Sequence, residues 1–87
     1  MARVWIPWAK RALIGGQPTV DAPGKTIGEV VDALERAHPG VKARLCPCGK
    51  LDPHLSISVD GRMTRLGLGQ PVPAECEIRF FPMIEGG

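Results

Sequence analysis

A chain of 87 residues is long enough for one domain whose small core holds without disulfide or metal staples. A net charge of +2 with both signs interspersed is too mild for a nucleic-acid binder, and no run of about 18 apolar residues offers a membrane span. Three cysteines are an odd count, with Cys46 and Cys48 one residue apart, which argues against a disulfide framework and for reduced thiols in a cytosol. Pro7, Lys10 and Arg11 interrupt any apolar stretch that a leader peptide would need, so the expectation is a mature cytoplasmic N-terminus.

Residues 3–8 alternate, with Val4, Ile6 and Trp8 on one face and Arg3 and Trp5 on the other. This predicts a half-buried strand that loses its pairing at Pro7. Residues 9–18 read as a loop turning at Gly15-Gly16, and Thr19 to Ala22 as a short second strand with Val20 and Ala22 inward. Pro23-Gly24 then breaks the chain. A helix follows. Thr26 and Glu29 have the spacing of a capping box, in which each side chain satisfies a free backbone N–H of the other's residue. Ile27, Val30, Val31, Leu34 and Ala37 recur on one stripe, Asp32, Glu35 and Arg36 take the wet side, and Pro39-Gly40 ends the helix.

Residues 41–53 read as an irregular connection with Val41 and Leu45 packed beneath it. Leu55, Ile57 and Val59 alternate with Ser56, Ser58 and Asp60, which predicts a strand with one wet face. Asp60-Gly61 signals a turn, Arg62 to Arg65 a short return strand, and Gly67 through Pro73 a loop. Glu77 to Phe81 is the last strand, with Ile78 and Phe80 inward and Arg79 and Phe81 outward.

This order predicts an α+β domain: a mixed sheet of four to five strands, one main helix on one face, and the other face open. The helix between the second and third strands supplies the crossover that a parallel pairing needs. The pattern fits the ubiquitin-like β-grasp, with the first and last strands parallel at the centre. Trp5 and Phe81 then share the open face, where an aromatic pair makes a docking surface. The plainer alternative is a pair covered by neighbouring lysine and arginine stems.

The expected division is a domain over residues 1–82 and a flexible tail over 83–87, Met83-Ile84-Glu85-Gly86-Gly87. Pro82 stiffens the exit from the fold, since its ring fixes φ and it cannot continue a central ladder. Five extended residues reach about 17 Å, enough to enter another protein's active site. Gly86 and Gly87 set no Cβ beside the terminal carboxylate, so a nucleophile meets little steric resistance there. That carboxylate is ionised at neutral pH and acylates poorly until it is activated.

The chain resembles the ThiS/MoaD ubiquitin-like sulfur carriers over nearly its whole length. Ile6-Pro7, Arg11, Gly15-Gly16-Gln17, Val20, Ala22, Gly24, Thr26, Gly28 and Val30 look like the subgroup that carries sulfur for thiocarboxylate-dependent cysteine biosynthesis. Phe80-Phe81-Pro82-Met83-Ile84-Glu85-Gly86-Gly87 is similar to the ending of the small subunit of molybdopterin synthase. The chain departs from the usual pattern at Met83, Glu85 and Pro73-Ala74-Glu75-Cys76. The resemblance implies a protein co-substrate rather than an enzyme. A partner related to ubiquitin-activating enzymes would use ATP and magnesium to adenylate Gly87, with Gly86 as its clearance. Sulfur would then displace AMP, and the resulting thiocarboxylate would serve a second, sulfur-accepting biosynthetic enzyme. Trp5, Phe81, Met83 and Ile84 are the expected partner contacts, a C-terminal peptidase is a further partner class, and no cofactor is expected to be bound. The other reading that starts from the same adenylate is a protein modifier joined through Gly87 to lysines of other proteins. A plain interaction domain is a third.

Other constellations carry less. Cys46, Cys48, Cys76, His38 and His54 lack the paired spacing of a zinc site, so no metal is expected. Neither histidine has a recognisable nucleophile beside it. Lys10/Arg11, Lys42/Arg44 and Arg62/Arg65 are scattered, which suits solvated faces or an acidic partner better than RNA.

Overall fold

The computed structural model describes residues 1–82, without the side chains of Trp8 and Ala9. The expectations for Met83, Ile84, Gly86 and Gly87, and for an inward Trp8, lie outside the described residues. Five strands form one sheet: β1 (Ala2–Trp5), β2 (Thr19–Ala22), β3 (Leu55–Val59), β4 (Arg62–Met63) and β5 (Cys76–Pro82). Their order is β2-β1-β5-β3-β4. β1 and β5 run parallel at the centre, with Val4 opposite Ile78 and Trp5 opposite Arg79, and the other pairs are antiparallel. This is the ubiquitin-like β-grasp.

The main helix, α1 (Ile27–Ala37), packs on one face of the sheet. The Glu29 amide donates to Thr26 Oγ1 at 3.2 Å. The reciprocal bond falls one residue earlier than in a standard capping box, since Glu29 Oε1 accepts from the Lys25 amide at 3.1 Å. Ile27, Val30, Val31, Ala33 and Leu34 are buried, whereas Ala37, placed on the apolar stripe by its spacing, is exposed in the last turn. These side chains close over Val4, Ile6, Ile57, Ile78 and Phe80 to form the core. Gly24 is required for close approach, because a Cβ there would lie 2.6 Å from the Val30 nitrogen and 2.8 Å from its Cγ2. At the β3–β4 turn, Asp60 (φ 50°) and Gly61 (φ 84°) both adopt the positive φ that a two-residue hairpin favours.

Several connections are more ordered than their composition suggests. The expected loop over 9–18 is largely a 3-10 helix, Trp8–Ile14, that buries Ile14 and stops at Gly15 in the left-handed region. The expected irregular stretch over 41–53 contains α2 (Val41–Leu45) and a 3-10 turn, Pro47–Gly49. Val41 and Leu45 do pack into the core. The cap of α2 comes from α1: the Glu35 carboxylate accepts from the Gly40 amide at 3.0 Å and the Lys42 amide at 2.9 Å. These two bonds, the Lys42 one first, hold the Glu35 carboxyl below its ordinary value. The expected loop over Gly67 to Pro73 includes a 3-10 turn, Gly67–Gly69.

Two features of β3 and β5 also depart from the expected pattern. Ser56 and Ser58 are buried rather than wet, with Phe81 and Arg79 as their partners on the adjacent strand. A short serine beside long cross-strand neighbours can be shielded by them, so polarity there does not mean exposure. β5 extends through Pro82, which pairs with Leu55, where β1 has already ended opposite Arg79. A missing N–H is tolerated where one flank of the strand no longer needs a donor.

Candidate functional site

The site is the end of β5 and the open sheet face around it. Central placement between β1 and β3 anchors β5 on both sides, so the chain leaves residue 82 from the most constrained strand of the fold. The register sets which side chains share the open face. Trp5 lies opposite Thr19 on β2 and Arg79 on β5, and Arg79 in turn lies opposite Ser58 on β3. Phe81, two residues beyond Arg79, is on the same side and opposite Ser56.

Trp5 and Phe81 are therefore brought to one face, as their spacing predicts. Neither is bare: both are half-buried. The Arg79 guanidinium sits over the Trp5 ring, 4.3 Å from its centroid, within the range of a cation–π contact. The Trp5 indole N–H donates to Glu77 Oε1 at 3.0 Å. The ring is thus fixed by an anion at its edge and a cation on its face. Of the plainer alternative, covering of the pair by lysine and arginine stems, the structure shows an arginine guanidinium over Trp5 alone. Sequence reasoning missed Glu77 and Arg79 as its partners, because the parallel register that pairs them joins residues more than seventy positions apart.

The thiols stand apart from this face. Cys46 and Cys76 are buried, Cys48 is exposed, and all three are free. Burial pushes the Cys46 thiol up, and burial followed by the nearby Asp60 carboxylate does the same for Cys76. Raised thiols are weak nucleophiles at neutral pH. Among the described residues, no three His, Cys, Asp or Glu side chains come together as a metal set. A surface cavity of about 590 Å³ lies between Pro23–Lys25 and α1, lined in part by Glu29, Asp32, Arg36 and Val72. It holds no nucleophile–base pair and does not touch Trp5 or Phe81. Among the described residues, no helix is long and apolar enough to cross a membrane.

Known proteins with this arrangement are found by both sequence and structure. Small archaeal modifier protein 1 of Haloferax volcanii is 33% identical over 87 residues, covering 95% of this chain and 98% of that protein. Sulfur carrier protein CysO of Mycobacterium tuberculosis is 33% identical over 89 residues, covering 97% of this chain and 96% of its own. A chain in the crystal structure of the Amycolatopsis orientalis BexX/CysO complex superposes with a TM-score of 0.90 at 32% identity, with 100% of both chains covered. These relatives bear the names of carriers and modifiers, not of catalysts. The ThiS family model matches residues 5–87, from the last residue of β1 to the final glycine. With that match over nearly its whole length and a sheet centred on the strand that leads to the diglycine, the chain belongs to the ThiS family.

Proposed function

We propose that this chain is a ubiquitin-like sulfur carrier, a protein co-substrate acted on by partner enzymes. The observation that supports this most directly is the family match running through Gly87 in a chain whose central strand leads into the diglycine end. In this reading an activating enzyme of the ubiquitin-activating type, using ATP and magnesium, joins the Gly87 carboxylate to AMP and releases pyrophosphate. Sulfide, or the terminal sulfur of a persulfide followed by reductive cleavage with a thiol, attacks the acyl carbon and AMP leaves. The product is a C-terminal thiocarboxylate. A sulfur-accepting enzyme of cysteine or molybdopterin biosynthesis then uses it in the cytoplasm. A C-terminal peptidase serves where the diglycine must first be uncovered. Gly86 keeps the acyl carbon unhindered. Trp5 and Phe81 face the partner, while Met83 and Ile84 fill its entry channel.

Incubation of the purified chain with its activating enzyme, ATP, magnesium and sulfide tests this by intact mass. The expected product is heavier by the difference between one sulfur and one oxygen, and is lost on hydrolysis. Adenylate without any sulfur-bearing product would overturn the carrier role. The similarity to small archaeal modifier protein 1 favours a second use of the same adenylate, an isopeptide bond from Gly87 to lysines of other proteins. Conjugates in cells that vanish when Gly87 is removed would establish it.

A further inference from the structure

The carrier reading leaves the Cys46-Pro47-Cys48 run without a role. It folds as a tight turn directly after α2. The Gly49 amide donates to the Cys46 carbonyl at 3.2 Å, and the Lys50 amide to the Pro47 carbonyl at 3.3 Å. Between these two overlapping turns Cys48 sits in the left-handed region, at φ 59° and ψ 25°. Glycine, asparagine and aspartate fill such positions most easily, so the thiol is held there at a backbone cost that glycine avoids. Cys48 is exposed, whereas Cys46, two residues back, is buried as part of the core.

Two Cα–Cα steps of about 3.8 Å, bent through a turn, leave Cys46 and Cys48 about 5.5 Å apart at Cα. That is inside the roughly 4.4–6.8 Å that a disulfide spans. The third thiol is out of reach. Cys76 begins β5 opposite Ala2, while the cysteine turn is tied to the far end of that strand. The Asp52 amide donates to the Leu45 carbonyl and the Leu55 amide to the Asp52 carbonyl, both at 2.9 Å, and Leu55 lies opposite Pro82. Six strand steps put about 20 Å between those two ends of β5. An exposed thiol with one buried thiol within bridging span is the arrangement of an attacking and a resolving cysteine.

We propose that Cys48 and Cys46 form a thiol–disulfide exchange site for small-molecule disulfides, with Cys48 attacking and Cys46 resolving. This goes beyond the sulfur-carrier reading and does not depend on it. The Cys48 thiolate attacks one sulfur of the small disulfide, forms a mixed disulfide and expels the other half as a thiolate. Cys46 then gives its proton to solvent and attacks Cys48 Sγ, and the second half leaves as a thiolate. Two cysteine thiols are oxidised to one disulfide, and one small disulfide is reduced to two thiols. Burial makes Cys46 a slow nucleophile, but its target is held beside it rather than met by diffusion. A disulfide closed across one residue is strained, so excess small thiol returns it to the dithiol. So short a ring restricts the unfolded chain little. Bridging draws the Cys46 side chain out of the core, and the oxidised chain should melt about 4–8 °C lower.

The test is incubation of the folded full chain with oxidised glutathione, followed by acid quench, intact mass and peptide mapping. Wild type is expected to lose two hydrogens, mapped to a Cys46–Cys48 bridge. Cys46→Ala should stop at one glutathione on Cys48, and Cys76→Ala should behave as wild type. Cys48→Gly suits the positive φ, so it should fold at least as well as wild type and take neither bridge nor adduct. A wild-type chain that stays unmodified, or stops at a lasting adduct on Cys48, overturns the proposal. So does a bridge that forms only between two chains, or an internal bridge that forms as readily in Cys48→Gly.

Discussion

The Trp5 indole gives its N–H to Glu77 and receives the Arg79 guanidinium on its face, so this one side chain ties together the two central strands on the solvent side of the sheet. A hydrogen bond to a carboxylate and an exposed cation–π contact together suggest about 1–2 kcal/mol for Trp5→Ala. A double-mutant cycle with Arg79→Ala should return a coupling of about 0.5–1 kcal/mol in urea unfolding, because the two groups touch directly. If Trp5 also docks the partner, Trp5→Ala raises KM for activation by about tenfold, beyond what its modest instability explains. A change in melting temperature alone would assign Trp5 to the fold and leave the docking role to Phe81.

At the scale of the elements, the two helices differ in where their caps come from. α1 is capped locally: Thr26 accepts from the Glu29 amide, so Thr26→Ala should cost about 1 kcal/mol and Thr26→Ser much less, measured by thermal unfolding. α2 is capped by Glu35, which sits seven positions before Lys42 on the preceding helix. The Glu35 carboxyl is held below its ordinary 4.5 by the two amides it accepts from, so its contribution to folding has a definite sign. It is fully present above the unfolded value and fades as pH falls through the lower folded one. Glu35→Gln should therefore melt lower than wild type near pH 7, and the gap should narrow as pH falls below the ordinary carboxylate range. This difference in caps also explains what the sequence reveals. The extent of α1, the presence of β1, β2, β3 and β5 and the Asp60-Gly61 turn follow from patterns that neighbours in sequence create. α2 and the 3-10 helix Trp8–Ile14 do not, because their order comes from a distant carboxylate and from burying Ile14, Val41 and Leu45. Alternation misleads at Ser56 and Ser58, which are polar yet covered by their cross-strand neighbours. The aromatic pair of the site is legible from period two alone. The hydrogen bond to Glu77 and the Arg79 guanidinium that clamp Trp5 appear only when the parallel register is known.

At the scale of the whole molecule, the two ends of the chain have opposite tolerances. The N-terminal ammonium of Met1 meets Glu75 at 3.2 Å on an exposed rim, where Glu75 is 88% accessible. A surface pair of that kind is worth little, so an N-terminal tag should leave both stability and activation intact. At the other end, among the described residues every core residue lies between Ala2 and Phe80. Removing Gly87 takes nothing from that core, and the melting temperature should hold. The chemistry should vanish, since the new end is a single glycine after Glu85, one residue short of the reach that the partner's active site needs. A C-terminal tag blocks the same carboxylate and should do the same in a purified system free of peptidases. The measurement is thiocarboxylate formation by intact mass, run beside circular dichroism melts of the N-tagged, C-tagged and Gly87-deleted chains. Thiocarboxylate on the Gly87-deleted chain at the wild-type rate would show that presentation by the body, rather than the identity and length of the end, determines activation. A fall in melting temperature with deletion would show that the end is packed against the sheet and is part of the fold.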